Sequence, residues 1–127
     1  MMAVLFPDAE TAVVAYLRPA LAANGYPTIF ISNRRETQTL AVWVRRDGGP
    51  TLDGNRDAAR MSINCYAAGP TDVNVSALAR KVDALMRAAA NGAPIIHTRR
   101  LSGPAPIPGT VPQRFLMFDV VLRGTNL

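Results

Sequence analysis

The stretch AARMSINCYA, residues 58–67, decides how the rest of the chain is read. Its side chains alternate without a break. Met61, Ile63 and Cys65 point one way, while Arg60, Ser62, Asn64 and Tyr66 point the other. A period of two marks a β-strand with unlike faces. The strand therefore belongs to a sheet with one greasy side and one mixed side, and other elements must cover the greasy one.

Upstream of this strand, TIFISNRR (28–35) and LAVWVRR (40–46) are rich in β-branched and aromatic residues and read as two more strands. The polar ETQT link (36–39) is expected to join them as a hairpin. Between the second and third strands, DGGPTLDGNRD (47–57) reads as a long loop full of turn residues. A first helix should open near Asp8, whose carboxylate can accept from free first-turn amides. Val13, Leu17 and Leu21 give this helix an apolar stripe, with Val14 beside them. Pro19 is expected to kink it or break it in two, and Asn24-Gly25 to end it.

Downstream lies the clearest helical pattern. Val75, Leu78, Ala79, Val82, Leu85, Met86 and Ala89 fall on one helical face. Residues 70–74 start this helix, Asn91-Gly92 stops it, and Asp83 and Arg87 stand at pairing distance. Two strands follow, 95–101 and 113–123. The linker between them, GPAPIPGTVP (103–112), is expected to be a projecting loop that cannot continue a sheet. The predicted order is α-β-β-β-α-β-β. The predicted fold is a single α+β domain over residues 1–127, with a mainly antiparallel five-stranded sheet and two helices on one face.

Composition agrees with a globular core: of 127 residues, 49% are hydrophobic and 18% charged. No apolar run approaches a membrane span, and the first residues lack the basic flank and apolar core of a secretory signal. A soluble protein maturing in a reducing cytoplasm is expected. Of the 14 basic residues in a chain of net charge +5, only Lys81 is lysine. Arginine's planar fork suits interface ion pairs and phosphates alike.

Two helices cover one side of such a sheet. Alternation assigns Ile29, Ile31, Leu40, Val42, Val44, Met61, Ile63, Cys65, Leu116, Phe118, Val120 and Leu122 to the covered side. It forces Phe30, Trp43, Tyr66, Phe115, Met117 and Val121 onto the other, together with Arg45, Arg60, Ser62, Asn64 and Asp119. Aromatic anchors among arginines match the composition of protein–protein interfaces, so neighbouring copies are expected to cover this second face. The competing expectation is that the first helix or the long loops fold over it.

Catalytic and metal-binding patterns are not found. His97 is the only histidine and reads as a packed or surface residue within a strand; Cys65, the only cysteine, reads as an inert core thiol. A Cys65–His97 pair across the sheet is conceivable, but nothing supports it. Asp47, Asp53 and Asp57 lack calcium-loop spacing, and Gly48-Gly49 has no phosphate-loop company. No enzymatic activity, cofactor or metal is expected. Arg45, Arg46, Arg56 and Arg60 should meet Asp47, Asp53 and Asp57 at one end of the sheet, with Arg34 and Arg35 at the other. That arrangement favours self-satisfied charges over a nucleic-acid stripe.

The segments AVVAYLRPALAANGY (12–26), VWVRRDGG (42–49) with RDAARMSINCYA (56–67), LARKVDALMRAAA (78–90) and PQRFLMFDVVLRGTNL (112–127) together span most of the chain. In element order and flavour it resembles the tail terminator (tail completion) proteins of long-tailed bacteriophages, particularly those of actinobacterial hosts. The resemblance implies a non-catalytic α+β subunit forming a ring, typically of six. Such a ring caps the tail tube, ends its polymerisation and presents the docking surface for the head or neck. The implied partners are further copies of the chain, the tube protein, a head–tail connector protein and DNA passing through the lumen without sequence-specific binding. The implied location is the head-proximal end of the virion's tail, after assembly in the host cytoplasm. Phe30, Trp43, Arg45, Arg60, Tyr66, Phe115, Met117 and Val121 would then form the subunit interface. The two loops would contact tube and neck through Asp47, Gly48, Gly49, Asp53 and Arg56, and through Pro104, Pro106 and Pro108. Pro19 and the proline-rich linker map to no shared function. The alternatives are another neck component, a small nucleic-acid-binding protein and, last, a small enzyme using His97.

Overall fold

The computed structural model describes residues 3–35, 40–67, 72–109 and 111–127, without the side chains of residues 72 and 73. The ETQT link and residues 70–71, expected to start the second helix, lie outside the described residues, as does residue 110 of the proline-rich linker.

In chain order the elements are β1 (Val4–Leu5), α1 (Ala9–Ala22), β2 (Phe30–Ser32), β3 (Ala41–Arg46), β4 (Thr51–Asp53), β5 (Arg56–Tyr66), α2 (Asp72–Arg87), β6 (Ile95–Pro106), β7 (Gln113–Arg123) and β8 (Thr125–Asn126). The fold is α+β. Asp8 caps α1 by accepting from Thr11 N at 3.1 Å. The helix runs unbroken through Pro19, which sits on its exposed side near the C-terminal end. There the ring removes one backbone bond without a clash against the core.

Both helices pack on one side of the sheet. Val13, Leu17 and Leu21 of α1, with Val75, Leu78, Val82 and Met86 of α2, meet Val42, Val44, Met61, Ile63, Leu116, Phe118, Val120 and Leu122 in one buried cluster. The helices are tied to each other by Tyr16 Oη, which donates to the Leu85 carbonyl at 2.6 Å, and by Lys81 Nζ, which donates to the Asn24 carbonyl at 2.6 Å.

The sheet corrects four expectations. It has six strands, not five, in the order β2-β3-β5-β7-β6, with β4 pairing to β5. Second, β2 and β3 are not a hairpin: they pair in parallel, Ile31 opposite Val42. Alternation could not separate the two, because either direction leaves Ile31 and Val42 on the helix side. Third, the 47–57 segment is not an open loop. It follows β5 as Asp47 N donates to the Arg60 carbonyl, Arg60 N to the Gly48 carbonyl and Ala58 N to the Pro50 carbonyl, and β4 then turns back into β5. Gly48 and Gly49 have φ of +101° and +109°, and a Cβ on Gly49 would overlap the Ala58 carbonyl oxygen. Only glycine allows this approach.

Fourth, the proline-rich linker does continue the sheet. Pro104 and Pro106 lie within β6, with Ala105 opposite Phe115, and the strand ends only at Pro106. The sheet tolerates them because β6 is an edge strand and because its register shifts at Arg100/Ser102 and Ser102/Ala105 absorb the irregularity. A small separate ribbon, β1 with β8, joins the two ends of the chain. It was not legible in two-residue segments.

Candidate functional site

The side of the sheet away from the helices is built from three cross-strand rows. One runs Ser32, Trp43, Asn64, Phe115, Ala105. The next runs Arg45, Ser62, Met117, Ser102, and the third Arg60, Asp119, Arg99. The alternation of β5 and β7 fixes these rows, since every second residue returns to the same side.

The eight residues expected at a subunit interface do not all reach the surface. Trp43, Phe115, Met117, Phe30 and Arg45 are half-buried and Arg60 is exposed. Tyr66 and Val121 are only 3% and 7% accessible, covered within their own protomer, so they support the surface and do not present themselves. Ser62 and Asn64 are buried as well.

Part of that cover comes from the chain after β2. Asn33 turns across the sheet, its carbonyl accepting from Trp43 Nε1 at 3.3 Å. The Arg35 guanidinium then lies 4.5 Å from the Tyr66 ring centroid and 5.9 Å from that of Trp43, and donates to Gln113 Oε1 at 3.0 Å. Arg45 stands 4.9 Å from the Trp43 centroid. The series Arg45–Trp43–Arg35–Tyr66 holds two guanidinium groups over aromatic rings, which restricts both side chains before any partner arrives. Sequence reading missed Arg35, because its position depends on the parallel course of β2.

The charges are arranged by near neighbours. Arg45 Nε donates to Asp47 Oδ1 at 2.8 Å, and the Ser62 hydroxyl donates to the same carboxylate. These bonds, Arg45's first, hold Asp47 below the ordinary carboxylate range. Arg60 and Arg99 share Asp119, at 3.4 and 2.9 Å. At the same end Arg56 pairs with Asp53 at 2.8 Å, and Arg46 grips the buried Asp57 through two bonds of 2.7 and 2.8 Å. The expected meeting of arginines and aspartates at this end takes place pair by pair.

Of the expected loop contacts, Asp47 is thus drawn into the sheet face, while Gly48, Gly49, Asp53 and Arg56 belong to the β4–β5 ribbon. Pro104 is half-buried in β6; Pro106 and Pro108 are exposed. Cys65 and His97 do not meet: Cys65 lies opposite Arg114 and His97 opposite Val121, seven residues apart along β7 and on different sides of the sheet. At strand spacing that is about 20 Å. Burial pushes the Cys65 thiol up, which disfavours the nucleophilic thiolate, and His97 is exposed. Among the described residues no three His, Cys, Asp or Glu side chains converge as metal ligands, and no helix is long and apolar enough to cross a membrane.

No protein-family model matches the chain, and no curated protein matches it.

Proposed function

We infer that this chain is a structural subunit that assembles through the arginine–aromatic side of its sheet into a ring. The ring belongs to a phage tail as its terminator, ending tube growth and offering a docking surface to the head or neck. The observation that carries the assembly step is the row of Trp43 and Phe115 with Met117 beside it. All three remain half-exposed between arginines that are already held in place. Large apolar side chains in a preorganised polar frame are what protein interfaces use as anchors. The tail assignment rests on the resemblance in element order and segment character described above. The stacked arginines support a protein partner over a nucleic acid. Their guanidinium groups occupy the ring of Trp43 that a base would otherwise stack on.

Sedimentation velocity and negative-stain microscopy of the purified protein test the reading. Rings with a central hole wide enough for duplex DNA are expected. Trp43→Glu should abolish them while leaving the far-ultraviolet circular dichroism unchanged. A Trp43→Glu protein that still forms wild-type rings would remove this face from the assembly.

A further inference from the structure

Resting on the ring reading, we propose that the contact is head-to-tail: the arginine side of one copy, at the β6 edge, receives the α1–β2 edge of the next. The argument begins with charge. Among the described residues, Arg35, Arg45, Arg60 and Arg99 share their side of the sheet with only Asp47 and Asp119, a surplus of two positive charges. Two such faces mated across a two-fold axis would oppose like charges over their whole area, which costs free energy that apolar contact has to offset. The complementary surface must be different and must carry free carboxylates.

Among the described residues one such surface is found. Seven carboxylate side chains are described, and five of them, Asp47, Asp53, Asp57, Asp83 and Asp119, are ion-paired with the protein's own arginines. The two without an ion pair among the described residues are Asp8 and Glu10, side by side at the start of α1. Glu10 accepts only from neutral donors, Arg46 N at 2.9 Å and Asn33 Nδ2 at 3.2 Å. Asp8 accepts from Thr11 N.

Next to them an open groove of about 240 Å³ runs between α1 and β2, with Val14, Ala15 and Ile31 among its walls and Glu10 at its mouth. Arg18 is also there, spent partly on the Ile31 carbonyl at 3.0 Å. That bond occupies the outer edge of β2, so the next copy docks by side chains and does not extend the sheet.

The groove thus offers apolar walls with Glu10 at its mouth and Asp8 close by in the chain, two carboxylates against the one guanidinium of Arg18, and the opposite face offers Met117 and Phe115 with positive charge. β2 and β6 are the two ends of the sheet, so Glu10 and the groove lie at one end and Arg99 at the other, while Arg45, next in the chain to the amide that Glu10 accepts from, stands near the groove. Two different complementary patches on one molecule make a heterologous contact, which closes into a ring or runs on as a filament.

Charge reversal tests the polarity. Arg99→Glu and Glu10→Arg should each weaken self-association, read by sedimentation at low salt, by about tenfold or more, as close interfacial charge pairs do. The double variant Arg99→Glu/Glu10→Arg should recover it, and so should an equimolar mixture of the two single variants. Because Glu10 also holds Arg46 N, Thr11→Arg at the exposed groove wall serves as a second probe if Glu10→Arg melts early. Self-association into rings that ignores all these changes overturns this pairing of the two patches but leaves the ring reading standing. A folded wild type that stays monomeric at millimolar concentration and low salt overturns both. Salt-sensitive binding of a fluorescent single-stranded oligonucleotide that Arg99→Glu abolishes, without any self-association, makes nucleic acid the occupant and also overturns the proposal.

Discussion

At the scale of single residues, the difference between a buried and an exposed ion pair separates Arg46 from its neighbour Arg45. Asp57 is 6% exposed and both its oxygens are held by Arg46. Removing the guanidinium strands a buried carboxylate, so Arg46→Ala should cost about 3 kcal/mol in denaturant unfolding. The Arg45–Asp47 pair is 43% and 32% exposed, and Arg45→Ala should cost less than about 1 kcal/mol. Asp47 also sets a pH dependence. Its carboxyl is held below its ordinary range by Arg45 and Ser62, so the folded state releases the proton more readily than the unfolded one. The resulting stabilisation is complete above the unfolded carboxylate range and fades as pH falls through the lower, folded value. The midpoint difference between wild type and Asp47→Asn should therefore be largest near neutral pH and close toward pH 3, which urea titrations at several pH values will show. That these arginines and aspartates meet at one end of the sheet was legible from strand spacing, but which arginine takes which aspartate depended on the course of residues 47–57. The sharing of Asp119 between Arg60 and Arg99 needed the β6 register.

At the scale of elements, glycine and proline positions set the outline of the sheet. Gly48 and Gly49 both have positive φ, but only Gly49 would drive a Cβ into backbone. Gly48→Ala should cost about 1–2 kcal/mol from conformation alone. Gly49→Ala should cost clearly more and displace β4, visible as faster amide exchange at Ala58 and Arg60. The β6 prolines invert an expectation drawn from composition. Deleting Pro104–Pro108 does not trim a projecting loop. It removes the end of β6 opposite Phe115, and should lower thermal stability and uncover that ring. A deletion protein as stable as the wild type would contradict this. Composition misled here because a proline-rich segment is poor in a central strand yet compatible with an edge, and sequence does not announce which strand is the edge.

At the scale of the whole molecule the net charge is +5, and the proposed contact sets Asp8 and Glu10 of one copy against the arginine side of the next. Assembly driven by such a contact is screened by salt, so self-association should weaken markedly between about 50 mM and 500 mM salt. Association held only by Trp43, Phe115 and Met117 would be insensitive to salt or strengthened by it. Sedimentation across that range distinguishes the two.

The sequence by itself determined which residues face the helices, which face away, and that the fold is α+β. Side-chain period and helical spacing are local properties, readable within ten residues of chain. Tertiary structure alone decided the direction of β2, the capture of residues 47–50 along β5 and of Thr51–Asp53 as an extra strand, the β1–β8 ribbon and the placement of Arg35 on Trp43 and Tyr66. Each of these depends on which distant backbone groups pair. Pairing is settled by the packing of the whole sheet, not by the pattern of any one strand.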